Sequence, residues 1–252
     1  MRNRRSIASG SPARATHGVV LTAAAFVVLS MSAASAPAAG STTLAVAPSQ
    51  KLVVLLAPHT ARSEPDESST SLGEIPDRRP ITEERTVLPV VGHGVGPDGA
   101  AWLHVLLPGR PNGHLGWIMQ RATRAAMTSW RLVVHTASRR VTVYRYGRPV
   151  RVFKAVVGKP ATPTPPGAAF VEEVIQLRAS AVGAPFALAL SSRSAVLQEF
   201  AGGPGQIALH GLMNVGGTLG TATSHGCIRL TNAAMRWLVF RVAPGTPVTV
   251  TR

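Results

Sequence analysis

The sequence predicts a mainly β chain, and three observations carry that prediction. Its 252 residues include 24 glycines and 20 prolines, with only 5% aromatics, a balance that suits turns and strands more than helical bundles. Apolar residues fall in short runs between turn signals such as Pro97-Asp98-Gly99 and Pro108-Gly109-Arg110-Pro111-Asn112-Gly113. Clear helix signals are few, and the best begins near Asn232. The length allows one large domain or two small ones with real cores.

Residues 1–38 come before any of these elements. They carry Arg2, Arg4, Arg5 and Arg14, then the apolar run Val19–Leu29, then the small residues Ser32–Ala39. A basic region, an apolar core and an A-x-A site form a secretory signal peptide, with cleavage after Ala38. The same stretch also fits a retained anchor. Either way the rest of the chain is expected outside the cytoplasm. Residues 39–50 read as a linker.

From residue 51 the elements follow in order. Leu52–Leu56, Thr86–Val91, Trp102–Leu107 and Gly116–Met119 are strands, and the loop at 108–113 makes a hairpin of the last two. Trp102-Leu103-x-Val105 followed by Gly116-Trp117-Ile118 resembles bacterial SH3-like domains. That resemblance implies a small β-barrel over residues 51–124, acting as a wall-binding module or as a spacer. A second domain, residues 129–252, opens with a meander: Leu132–Thr136, Val141–Tyr146 and Pro149–Val157. Proline-rich Lys159–Gly167 is an irregular loop. Phe170–Ile175, Phe186–Leu190 and Ile207–His210 are strands, and Ser194–Phe200 is expected to make one or two helical turns. Asn232 caps a helix over Ala233–Val242, Pro244-Gly245 ends it, and Pro247–Thr251 is the last strand. Strands with two minor helices argue a β-sandwich.

Charge divides the chain at the same place. From Ala39 to Thr128 eight basic residues face eight acidic ones, whereas from Ser129 onward fourteen face only Glu172, Glu173 and Glu199. Such an excess points to a polyanionic neighbour, or to no more than a generally basic surface. For an exported protein the neighbour would be anionic cell-wall polymer or lipid headgroups. No aromatic-interleaved nucleic-acid motif is present, so no nucleic-acid partner is expected.

The chemistry concentrates in Ile207-Ala208-Leu209-His210-Gly211 and Ser224-His225-Gly226-Cys227-Ile228-Arg229. Cys227 is the single cysteine, so no intrachain disulfide can form. A cysteine attacks as thiolate, and an ordinary thiol is only a few per cent ionised at neutral pH. A histidine within reach removes that limit by taking the proton. A tight turn at His225-Gly226-Cys227 would expose the sulfur and aim backbone N–H groups at one point, as an oxyanion site needs. The competing reading is a metal site of Cys227, His210 and His225, with a fourth ligand from Glu172, Glu173 or Glu199. No aspartate follows Asp98, so a Cys-His-Asp triad is improbable, and a backbone carbonyl such as that of Gly211 is expected to fix the tautomer of His210.

These residues carry a resemblance. His210-Gly211 with Ser224-His225-Gly226-Cys227-Ile228-Arg229-Leu230-x-Asn232, the loop Gly158-Lys159-Pro160-x-x-Pro163-Thr164-Pro165-x-Gly167, and Pro244–Val248 are similar to the L,D-transpeptidase catalytic domain of the YkuD family. The resemblance implies that Cys227 is the acyl-accepting nucleophile and His210 its base. Gly211 and Ser224 would shape the site, and His225, Gly226 and Cys227 would build the turn and the oxyanion donors. Arg229 and Asn232 would bind substrate. It also implies peptidoglycan stem peptides as substrate, acylation by carbapenem β-lactams, and no metal or other cofactor. Cys227 would attack the L,D bond of a tetrapeptide stem and release D-Ala. An amine of a second stem would complete a 3→3 cross-link, or water would complete a carboxypeptidase reaction. The alternative is a wall-binding protein with a weakly active or inactive catalytic domain. A histidine-assisted thiol predicts loss of activity below about pH 6.

Overall fold

A computed structural model describes residue 15, residues 46–199 and residues 203–252. The signal or anchor reading of residues 1–38 therefore lies outside the described residues, apart from Ala15. The described residues from 46 onward form one compact unit. The chain is mainly β.

Seven strands come first: β1 (Gln50–Leu55), β2 (His59–Arg62), β3 (Ser71–Ile75), β4 (Val87–Val95), β5 (Ala101–Leu106), β6 (Leu115–Met119) and β7 (Thr123–Thr128). They form one sheet in the order β3-β2-β6-β5-β4-β1-β7. Val53, Leu55, Leu88, Val105 and Ile118 make its core. The sequence reading missed β2, β3 and β7, which are polar or short and show no alternation a pattern search would find.

The remaining elements are β8 (Trp130–His135), β9 (Arg140–Arg145), β10 (Arg148–Lys154), β11 (Val157–Gly158), β12 (Gly167–Gln176), β13 (Phe186–Arg193), β14 (Gln206–His210), β15 (Ala222–Ser224), β16 (Ile228–Arg229), α1 (Asn232–Val239) and β17 (Pro247–Thr251). Eight of them form a mixed sheet ordered β10-β9-β8-β17-β12-β13-β14-β16, and β11 pairs with β15 beside it. The fully buried Leu132, Leu188, Leu190, Leu209, Ile228 and Leu238 lie in one core that joins sheet and helix.

Two local expectations need correction. Residues 194–199 are not helical. Ser194 Oγ instead accepts from the N–H groups of Val196 and Leu197. The carbonyls of Ser194 and Leu197, which a helix would use, accept from the Arg110 guanidinium at 2.8 and 3.1 Å. The cap of α1 is Thr231, whose hydroxyl accepts from Ala234 N–H at 3.1 Å. Asn232 is the first helical residue, and its side chain is engaged elsewhere.

The two sheets meet through a buried ion cluster. Arg79, between β3 and β4, pairs with Glu172 and lies 3.6 Å from Glu173, both on β12. Arg193 pairs with Glu172 at 3.1 Å. Two of the three acids after residue 129 are thereby committed far from Cys227 in sequence.

Candidate active site

The site is built where β14 and β16 run parallel. Leu209 pairs with Ile228, and His210 with Arg229. Side chains alternate along a strand, and Ile207, Leu209 and Ile228 are buried toward the core. His210 and Arg229 therefore share the opposite face, and Cys227, one step before β16, falls on that face too. The sulfur confirms the register. Cys227 Sγ lies 4.0 Å from the Gln206 carbonyl oxygen, and the Ala208 backbone N–H donates to it. The thiol thus rests against the main chain of the strand that ends in His210.

His210 is oriented by its own neighbour. Its Nδ1 lies 2.8 Å from the Gly211 carbonyl oxygen, the acceptor anticipated from the absence of a nearby aspartate. With Nδ1 donating, Nε2 keeps its lone pair. Burial lowers the pKa of His210, the Gly211 carbonyl raises it, and the charge of Arg229 lowers it further. The imidazole is held neutral. Burial pushes the Cys227 thiol up, while the Ala208 N–H and Arg229 pull it back. Arg229 thus favours thiolate and disfavours imidazolium at once.

The turn carrying the thiol is fastened from two sides. Ser224 is fully buried; its hydroxyl donates to the Cys227 carbonyl at 2.6 Å and accepts from Gly226 N–H at 3.1 Å. Thr164 donates to the Gly226 carbonyl at 2.8 Å and accepts from Gly158 N–H at 3.0 Å. Lys159 N–H and the Thr162 hydroxyl both donate to the Ser224 carbonyl. The proline-rich loop is therefore a clamp on the Ser224–Cys227 turn. Gly226 has φ +122°, and an added Cβ would sit 3.0 Å from Ile207 Cδ1, so both backbone and space call for glycine.

One expectation is corrected here. Gly226 N–H is spent on Ser224, so it is not an oxyanion donor. In a trans peptide the N–H opposes the C=O. Because Thr164 holds the Gly226 carbonyl, the Cys227 N–H points away from that loop.

The other site residues divide by role. Arg229 Nη1 donates to Gly216 at 3.2 Å, and its buried Nε has no partner. Asn232 Oδ1 accepts from Leu212 N–H at 3.0 Å, which braces the chain after His210. Gly211 is buried, and a Cβ there would lie 2.1 Å from the Ala184 carbonyl oxygen. His225 is exposed. Among the described residues no cluster of three or more His, Cys, Asp or Glu could hold a metal.

Sequence reasoning missed Gly183. Its φ is +84°, it accepts from Gly211 N–H, and an added Cβ would stand 2.5 Å from His210 Nδ1. A lone glycine between Val182 and Ala184 carries no motif, so only the fold reveals that it makes room for the imidazole.

Comparison with known proteins agrees with this architecture. Residues 129–250 match the model of the YkuD family, the L,D-transpeptidase catalytic domain. Among solved structures the chain is similar to Bdellovibrio bacteriovorus Bd1075, at 21% identity over 49% of this chain and 48% of that one, TM-score 0.39. It is similar to a mutant of the Enterococcus faecium L,D-transpeptidase, at 21% over 48% and 49%, TM-score 0.38. A third is L,D-transpeptidase 3 from Mycobacterium tuberculosis with a faropenem-derived adduct, at 16% over 66% and 91%, TM-score 0.40. The chain spans about half the length of the first two. No curated protein matches it.

Proposed function

We propose that the protein is an exported cysteine L,D-transpeptidase that forms 3→3 cross-links in peptidoglycan, with hydrolysis of the same acyl-enzyme as a side reaction. The observation that carries this reading is the placement of His210 and Cys227 on one face of adjoining parallel strands, with Nδ1 of His210 tied to Gly211. Both groups rest neutral, because burial opposes the charged form of each.

His210 Nε2 takes the thiol proton as sulfur attacks the stem carbonyl. The Cys227 N–H faces the developing oxyanion. The imidazolium then returns its proton to the departing D-Ala amine. An acceptor amine reverses these steps on the thioester, with His210 again the base. The unpartnered Nε of Arg229 offers a donor for a substrate carboxylate. Residues 51–124 serve as an SH3-like module beside this domain.

The test is the intact mass of the protein after incubation with a carbapenem, beside Cys227→Ala. One adduct of equal stoichiometry, absent from the variant, supports the reading. No adduct on a folded, reduced protein favours wall binding by a weakly active domain, a reading for which the raised thiol pKa is the specific argument.

A further inference from the structure

The β10 edge of the mixed sheet carries a separate chemistry. The register of β9 and β10 is Arg145 with Arg148, Val143 with Arg151 and Val141 with Phe153, with a bulge between Pro149 and Arg151. Residues directly opposite in a sheet share a face, and a bulge shifts the alternation. Arg148 and Arg151, which a regular strand would point opposite ways, therefore lie on one face with Arg145. Trp130 pairs with Arg145 from β8 on that same face.

The arginines converge on aromatic rings. The Arg145 guanidinium carbon lies 5.1 Å from the Trp130 centroid and 5.3 Å from that of Tyr146. That of Arg151 lies 5.5 Å from Trp237, and that of Arg241 lies 4.3 Å from the same ring. Trp130 and Trp237 meet edge to face at 6.1 Å. Stacked guanidinium groups still present N–H donors at their rim for phosphate oxygens.

No carboxylate balances them. None of the ion pairs among the described residues includes Arg145, Arg148, Arg151 or Arg241. Glu172 and Glu173 are taken by Arg79 and Arg193, and Glu199 lies in the segment after β13. Two rings stand open beside the arginines in sequence: Tyr146 is 63% exposed, and Phe240, the residue before Arg241, is 81% exposed.

We propose that this arginine-lined rim docks on an anionic phospholipid surface, its arginines on lipid phosphates and Phe240 and Tyr146 at the headgroup level. Charge complementarity selects a polyanion, and the exposed rings select a lipid surface over a soluble polymer, which offers them nothing apolar. Arginines that merely blocked strand addition at an edge would need neither tryptophans beneath them nor an open phenyl group. The inference does not depend on the chemistry at Cys227.

The experiment is amide hydrogen exchange of the full chain on phosphatidylcholine vesicles and on vesicles with three parts in ten phosphatidylglycerol, so that any N-terminal insertion is common to both. The expected result is slowing by roughly tenfold in Arg148–Lys154 and Trp237–Val242 on the anionic vesicles only, the size expected for one or two arginines at such a surface. Arg151→Glu/Arg241→Glu abolishes it with carbapenem acylation unchanged, and Phe240→Ser weakens it. Equal slowing on both vesicles, or none, overturns the proposal. Slowing by soluble linear polyphosphate but not by anionic vesicles overturns it in favour of a wall polymer. Failure of wild-type acylation would count against the transpeptidase reading and leave the exchange result standing.

Discussion

At the scale of residues the decisive pair is neutral, and its behaviour with pH follows. In the proposed mechanism His210 must be unprotonated to act, and its lowered pKa places the acid limb of acylation below the ordinary histidine value of about 6.5. A carbapenem acylation rate measured from pH 4.5 to 8 should stay flat through 6.5 and fall only below it, and His210→Ala should lower the plateau at least a hundredfold. The two groups also bear on stability, with opposite signs. The folded protein resists protonating His210, so the unfolded chain binds the extra proton; that contribution is complete above about pH 6.5 and is lost as pH falls through the folded value. The folded protein resists ionising Cys227, so that contribution is complete below the ordinary thiol value of about 8.5 and is lost as pH rises. Urea unfolding of Cys227→Ala beside the parent, from pH 7 to 10, should show a shallower alkaline decline in the variant. Cys227, His210 and the Gly211 carbonyl were legible in the sequence because a single cysteine and a lack of aspartate leave few choices. Gly183 and the commitment of Gly226 N–H were not, since both depend on contacts with segments remote in sequence or on the inside of a turn.

At the scale of elements the Ser224–Cys227 turn is held by loops, not by the two-residue strand that follows it. Ser224→Ala removes two hydrogen bonds and should cost about 1–3 kcal/mol, while Thr164→Val leaves the Gly226 carbonyl and Gly158 N–H unpartnered at a similar cost. Denaturant unfolding checks the stability, and the acylation rate should fall more than tenfold in each variant. The hairpin loop before β6 acts on the other flank. Arg110 donates to the carbonyls of Ser194, Leu197 and Pro204, and Asn112 exchanges two hydrogen bonds with the Arg193 backbone. Those contacts bracket the segment that delivers β14. Arg110→Ala should slow acylation severalfold with little change in the amide exchange of β12 and β13. The loop at 108–113 was readable as a hairpin, because prolines and glycines announce it. Its reach to Ser194 was not, and for that reason the Ser194–Phe200 segment reads as helical in sequence and is not helical where described.

At the scale of the whole molecule, the two sheets share charge as well as apolar contact. Arg79 and Arg193 enclose Glu172 and Glu173 out of solvent. Arg79→Met leaves two buried carboxylates to Arg193 alone and should destabilise by about 3–5 kcal/mol in urea, whereas Arg79→Met with Glu173→Leu should recover most of that, leaving the Arg193–Glu172 pair. The step from one sheet to the other near residue 128 coincides with a change in charge balance, yet nothing in the pattern of Glu172-Glu173 showed that the rare acids of the basic half serve the junction. Nor could periodicity reveal the position of the last strand. β17 lies between β8 and β12 and, in the strand order of the described residues, joins β10-β9-β8 to β12-β13-β14-β16. A ribosome makes β17 after every other described strand. Until those residues are made, β8 and β12 have no shared neighbour in the sheet, a consequence of strand order alone.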